Sequence, residues 1–107
     1  MSHVTTATFD ADVLGSHLPV VVHFGAPWCV PCRVIAPVLA ELAGSFRDRV
    51  SFVAVDTDED PGLVERFGIA TLPTLHFYAD GELVDVLCGA RPKPLLGERV
   101  AALLAHH

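Results

Sequence analysis

Two of the chain's three cysteines stand close together, in Trp28-Cys29-Val30-Pro31-Cys32. Thiols at this spacing suit one chemistry above others, the making and breaking of a disulfide without rearrangement of the fold. If the pair opens a helix, positions three apart share a face, with Cβ atoms about 5–6 Å apart. A small local adjustment closes that gap to the roughly 3.5–4.5 Å of a disulfide. The species that attacks a disulfide is a thiolate. Cys29 at a helix N-terminus would meet unsatisfied N–H groups and the positive end of the helix dipole, and both favour its anion. Cys32, one turn in, is expected to be the more buried and to resolve a mixed disulfide formed at Cys29. Pro31 suits a first turn, where an N–H has no intrahelical partner anyway. Trp28 can shield one side of the pair while Cys29 stays open to a partner.

Two blander assignments compete, half of a structural zinc site and a pair of inert core thiols. Tetrahedral zinc needs two further ligands, and Cys88 is the only other cysteine. Neither a metal nor a bound cofactor is expected. A Cys-x-x-Cys between a strand and a helix favours redox chemistry.

The flanking residues supply that context. Val20 to Phe24 is nearly all apolar apart from His23, the pattern of a strand covered on both faces. Ile35, Val38, Leu39, Leu42 and Phe46 recur at helical spacing and predict a helix to about residue 45. Pro37 lies inside it, where it removes one backbone donor. Upstream, residues 4–6 are expected to form a short edge strand. Thr8 is placed to cap a short helix carrying Phe9, Val13 and Leu14, which Gly15 ends.

Downstream, residues 50–55 read as a second buried strand, followed by the acidic cluster Asp56, Asp58, Glu59 and Asp60. That cluster lacks the glycine and distal glutamate of a calcium loop and reads as a solvated connection. Asp60-Pro61 looks like the cap and first turn of a helix with Leu63, Val64 and Phe67 inward, ended by Gly68. Leu75 to Tyr78 and Leu83 to Cys88 make two strands joined by the hairpin turn Asp80-Gly81. Leu96, Val100, Leu103 and Leu104 mark one face of a last helix. The order is strand, helix, strand, helix, strand, helix, strand, strand, helix, an α/β arrangement over residues 1–107 with parallel crossovers first and an antiparallel hairpin later.

Composition bounds the function. The chain has 107 residues, 51% hydrophobic and 19% charged, with a net charge of −6, which fits one globular domain. Its seven basic residues are scattered, so nucleic acid is not an expected partner. No secretory signal is expected in residues 1–18, which carry Asp10 and Asp12 and lack a basic lead. The longest apolar run falls far short of the roughly 20 residues that span a bilayer. A soluble, cytoplasmic monomer is the expectation.

Phe24-Gly25-Ala26-Pro27-Trp28-Cys29-Val30-Pro31-Cys32-Arg33, followed by Ile35-Ala36-Pro37, resembles the active-site segment of the thioredoxin family. Val53-Ala54-Val55-Asp56-Thr57-Asp58, Phe67-Gly68-Ile69, Leu72-Pro73-Thr74 and Cys88-Gly89-Ala90 are similar to its later landmarks, in order, over nearly the whole chain. The resemblance implies a thioredoxin fold, a central mixed β-sheet of about five strands flanked by about four helices. It implies a protein-disulfide oxidoreductase, most simply a dithiol reductant of client proteins through a Cys29–Cys32 bridge that a flavin-dependent, thioredoxin-reductase-like partner reopens. An oxidant or isomerase on the same fold, or a non-catalytic docking subunit, are the rival readings. Pro73 would be the family's cis-proline, leaving the backbone of Leu72 free to pair with an extended client segment. Trp28, Pro31, Leu72, Pro73, Cys88 and Gly89 would form the client-binding surface.

Three departures from the family pattern bear on function. Val30 replaces the usual glycine, either stiffening the turn and retuning the couple or standing as a tolerated surface residue. About 1.4 kcal/mol at the sulfur moves a two-electron couple by about 30 mV. His23 and Ala54 stand where the family commonly has a buried aspartate and a lysine. His23 is the candidate proton acceptor for Cys32, set against a neutral core histidine satisfied by a hydrogen bond. Cys88 is either a small apolar filler, the favoured assignment, or an exposed thiol open to oxidation.

Overall fold

The computed structural model describes residues 1–106. The apolar run becomes strand β2 (Val20–Gly25), every residue of which is buried. It lies at the centre of a five-stranded sheet with β1 (Ser2–His3), β3 (Ser51–Asp56), β4 (Thr74–Ala79) and β5 (Glu82–Cys88), in the order β1-β3-β2-β4-β5. β1, β2 and β3 pair in parallel, while β4 runs antiparallel to β2 and β5 antiparallel to β4. Three α-helices, α1 (Val30–Ser45), α2 (Pro61–Phe67) and α3 (Lys93–Leu104), flank the sheet among the described residues. In place of a fourth there is a single π-helical turn, Asp10–Leu14.

Alternation along each strand divides the core in two. Val21, Leu75 and Phe77 meet Ile35 and Leu39 of α1 and Leu96 of α3 on one face. Val22, Phe24 and Val55 meet Phe9, Val13 and Leu63 on the other. β2 is thus clamped from both sides, and its C-terminal end delivers the chain to the cysteines at the start of α1. Asp80 (φ 52°) and Gly81 (φ 80°) make the hairpin between β4 and β5, the left-handed pair that a two-residue turn requires. Glycine is needed there twice over, because a Cβ on Gly81 would lie 2.9 Å from the Leu14 carbonyl oxygen.

The N-terminal region departs from the sequence expectation. The first strand is Ser2–His3 rather than residues 4–6; Val4 still donates to the Ala54 carbonyl at 2.9 Å, after which the chain turns away. Of the threonines that favoured a strand, Thr5 spends its hydrogen bonds on the turn and Thr6 on a distant carboxylate. Thr8 does not cap a helix, since its Oγ1 accepts the Thr5 N–H at 2.9 Å. Asp60 does stand at the N-cap position of α2, but its side chain makes no capping hydrogen bond there. Its Oδ1 accepts from the Thr6 N–H at 2.9 Å and the Thr6 hydroxyl at 3.0 Å, tying the N-terminal segment to the start of that helix. Pro61 in the first turn and Gly68 in the left-handed conformation at the end behave as expected. No helix among the described residues is long and apolar enough to cross a membrane.

Candidate active site

Cys29 is the N-cap of α1, with extended backbone (φ −83°, ψ 107°), and the helix proper starts at Val30. Such a residue leaves the first-turn N–H groups pointing back at it. Its side chain uses one of them: Cys29 Sγ accepts the Cys32 N–H at 3.3 Å. The two sulfurs are joined as a disulfide, with Cα atoms 5.3 Å apart. Both cysteines are equally buried, each 4% exposed, so Cys32 is not the more hidden of the pair while the bridge is closed. Ala26 and the half-buried Leu72 pack against them.

Around this small buried cluster the surface is apolar. Trp28 is 65% exposed and Val30 57%, so the residue in the usual glycine position points into solvent. Val34, one turn further along α1 and on the same face as Val30, is also exposed; the sequence reading did not single it out. Trp28 is not free to swing, because its indole N–H donates to Asp58 Oδ2 at 2.8 Å. Asp56 in turn accepts the Asp58 and Glu59 N–H groups at 2.9 and 3.4 Å. The acidic cluster is therefore a scaffold for the site rather than a merely solvated loop. Its signal was indirect: β2 and β3 pair with Gly25 opposite Asp56, which brings the two following loops side by side.

The Leu72–Pro73 peptide is cis. Pro73 itself is buried, and its carbonyl accepts the Gly89 N–H at 2.8 Å. Of the expected client surface, Trp28 and Pro31 are exposed, Leu72 is half-buried against the disulfide, Gly89 is half-buried, and Pro73 is buried. Cys88 corrects the favoured assignment as a filler, because the residue is exposed, its sulfur within 4.0 Å of the Thr74 hydroxyl. It pairs with Thr74 across β4 and β5 and lines a groove with Ile69, Thr71 and His76. Only one side of that edge strand is covered, because α3 packs on the opposite face.

His23 lies on the α1 face of β2, 6% exposed. Its Nε2 has no hydrogen-bond partner among the described residues, so it is not the satisfied core histidine of the alternative reading. Burial, with a smaller contribution from the charge of His3, pushes its pKa down to about 4. A Cβ added to Gly25 would sit 3.0 Å from this Nε2 and 3.2 Å from Cys32 Sγ. The imidazole and the inner sulfur thus face one another across a methyl-sized gap that only glycine leaves open. No group of three or more His, Cys, Asp or Glu among the described residues is arranged to hold a metal ion.

Residues 1–102 match the family model described as Thioredoxin. The chain is 50% identical over 93 residues, 87% of either protein, to "Thioredoxin 1" of Synechococcus elongatus. It is 43% identical over 97 residues to "Thioredoxin 1" of a Nostoc species, covering 91% of each. It is 42% identical to "Thioredoxin M-type, chloroplastic" of Pisum sativum, covering 91% of this chain and 56% of the pea protein.

Proposed function

We propose the following mechanism for this chain, which belongs to the thioredoxin family and is a protein-disulfide oxidoreductase, a dithiol reductant. In the reduced protein the Cys29 thiolate attacks one sulfur of a client disulfide. The client S–S bond breaks, and its other sulfur leaves as a thiolate and takes a proton. Cys32 loses its proton and attacks Cys29, the mixed disulfide breaks, and the client leaves as a dithiol. One observation carries these roles: Cys29 occupies the N-cap of α1, where its sulfur accepts the Cys32 N–H. A first-turn N–H and the helix dipole both stabilise a thiolate there.

Trp28, Pro31 and Leu72 form the client contact, with Val30 and Val34 extending it; Pro73 and Gly89 hold the loop beneath, and Cys88 stands at its far edge. Residues 1–107 act as one domain, without a bound cofactor. The protein works as a monomer, because β5, the long exposed edge, carries Glu82 and Asp85 and bulges at Val84, where its pairing with β4 shifts register between Phe77 and Tyr78, features that discourage edge pairing. The bridge left after each turnover needs two electrons and two protons, which we assign to a flavin-dependent, thioredoxin-reductase-like protein. The reducing cytoplasm suits such a cycle; the pea relative is named as chloroplastic instead, and immunolocalisation in the source cell distinguishes the two.

His23 accepts the proton that Cys32 gives up; its unpartnered Nε2 supports this role. A thiol of ordinary pKa gives its proton to a base near 4 only uphill, by about 6 kcal/mol. The thiolate forming beside the imidazole reduces that climb. His23 therefore passes a proton on rather than storing it.

The decisive test is a trapping experiment. Cys32→Ser should accumulate client proteins disulfide-linked to Cys29, and Cys29→Ser should abolish insulin reduction. Reduction that survives in Cys29→Ser removes the assignment.

A further inference from the structure

A cavity of about 280 Å³ opens beside Cys32, with His23, Gly25, Ala54, Asp56 and His3 in its wall. Strand register explains why two histidines meet there. His3 of β1 and His23 of β2 both pair with Ala54 of β3. Residues in register project to one face of a sheet, so the three side chains form a row with the alanine methyl between the imidazoles. With strands about 4.8 Å apart, the two histidine Cα atoms are roughly 10 Å apart. That leaves room for water between the rings, each molecule taking about 30 Å³. His23 is buried and has an unpartnered nitrogen, whereas His3 is exposed.

We propose that His3 is the outlet of a two-histidine proton path running from Cys32 through His23 to solvent across Ala54. The proposal rests on His23 being the acceptor for Cys32. As Cys32 attacks Cys29, its S–H bond breaks and the proton goes to His23 Nε2. The sulfur's electron pair forms the Cys29–Cys32 bond. The bond between Cys29 and the client breaks with its pair on the departing client sulfur, which takes a proton from solvent. The proton on His23 moves through cavity water to His3 and out to bulk.

The other groups facing His23 fit less well. Arg33 of α1 has no lone pair for a proton, and its guanidinium donates to the Pro27 carbonyl at 3.0 Å. Asp56 has Oδ1 committed to the Asp58 and Glu59 N–H groups. Leu75 of β4, opposite His23, is apolar, and Met1 lies at the cavity wall. Charge on His3 discourages protonation of His23, so the path carries one proton at a time.

The test uses the full chain. Reduced protein is mixed with a chromophoric model disulfide, and resolution of the mixed disulfide is followed by stopped flow from pH 6 to 9. The runs are made in dilute phosphate with and without added imidazole. In dilute buffer His3→Ala should slow resolution about tenfold, less than the hundredfold or more of direct acid–base catalysis, because His3 acts one step removed. Added imidazole should restore the His3→Ala rate and leave wild type unchanged. Slowing that imidazole does not rescue would make His3 a structural residue and overturn the path. If His23→Gln is slow while His3→Ala matches wild type, the outlet is wrong and the acceptor stands. If neither variant is slowed, the acceptor reading itself falls, and the path with it.

Discussion

Replacing His23 by leucine should alter the stability of the oxidised protein in a strongly pH-dependent way. His23 is buried and titrates at about 4 in the folded chain, against 6.5 for an ordinary histidine. As pH falls below 6.5 the unfolded chain takes up a proton at this site and the folded chain does not. Wild type therefore has the full stability of a neutral His23 above pH 6.5, and loses it progressively down to about pH 4. Linkage puts the loss at about 1.4 kcal/mol by pH 5.5 and about 3 kcal/mol by pH 4. Leucine has nothing to protonate, so the variant lacks this loss. His76, whose pKa burial also lowers, is present in both proteins and cancels in the difference, as do the carboxylates. Urea unfolding of both oxidised proteins at pH 7, 5.5 and 4 gives the comparison directly. The stability of His23→Leu relative to wild type should rise by about 3 kcal/mol from pH 7 to pH 4, whatever constant offset the leucine brings. A difference that stays flat over this range would refute the claim that His23 is held neutral by its surroundings.

Gly25→Ala should destabilise the fold by about 1–3 kcal/mol, the usual cost of overpacking, because the new methyl enters the gap between His23 and Cys32; chemical denaturation measures it, and full wild-type stability would mean that no such crowding exists. Asp58→Ala should free the Trp28 indole at a cost below about 1 kcal/mol, since the bond is exposed. Its signature is lower fluorescence anisotropy of the single tryptophan and slower client reduction; unchanged anisotropy would show that Asp58 does not hold the ring. Alkylation of the native oxidised protein, read by mass spectrometry, should put one label on the chain, at Cys88. An unlabelled Cys88 would return it to the role of filler.

Much of the fold was legible because it is written in local periodicities. The apolar run 20–24, the helical spacing from Ile35 to Leu42 and the Asp80-Gly81 turn each constrain their own backbone, and each forms as read. The Cys29–Cys32 pair is likewise local, since positions three apart in a first turn meet whatever the rest of the chain does. Local signals failed where a polar side chain had a choice of partners. Asp60 before Pro61 has the form of a helix cap, yet it binds Thr6, fifty-four residues away in sequence. Thr8 likewise turns to Thr5. A cap and a tertiary hydrogen bond are each worth about 1 kcal/mol, so sequence proximity cannot decide between them.

Element order, the redox pair and the family to which the chain belongs were therefore legible in the order of the residues. Folding was needed to set His3 and His23 on either side of Ala54, to leave Cys88 exposed at an edge and to join Trp28 to Asp58. These relations depend on strand register, and a slip of one residue would turn every side chain of a strand to the opposite face. Register is fixed by how both faces of β2 pack against the helices. That is a property of the assembled core, which no single segment carries.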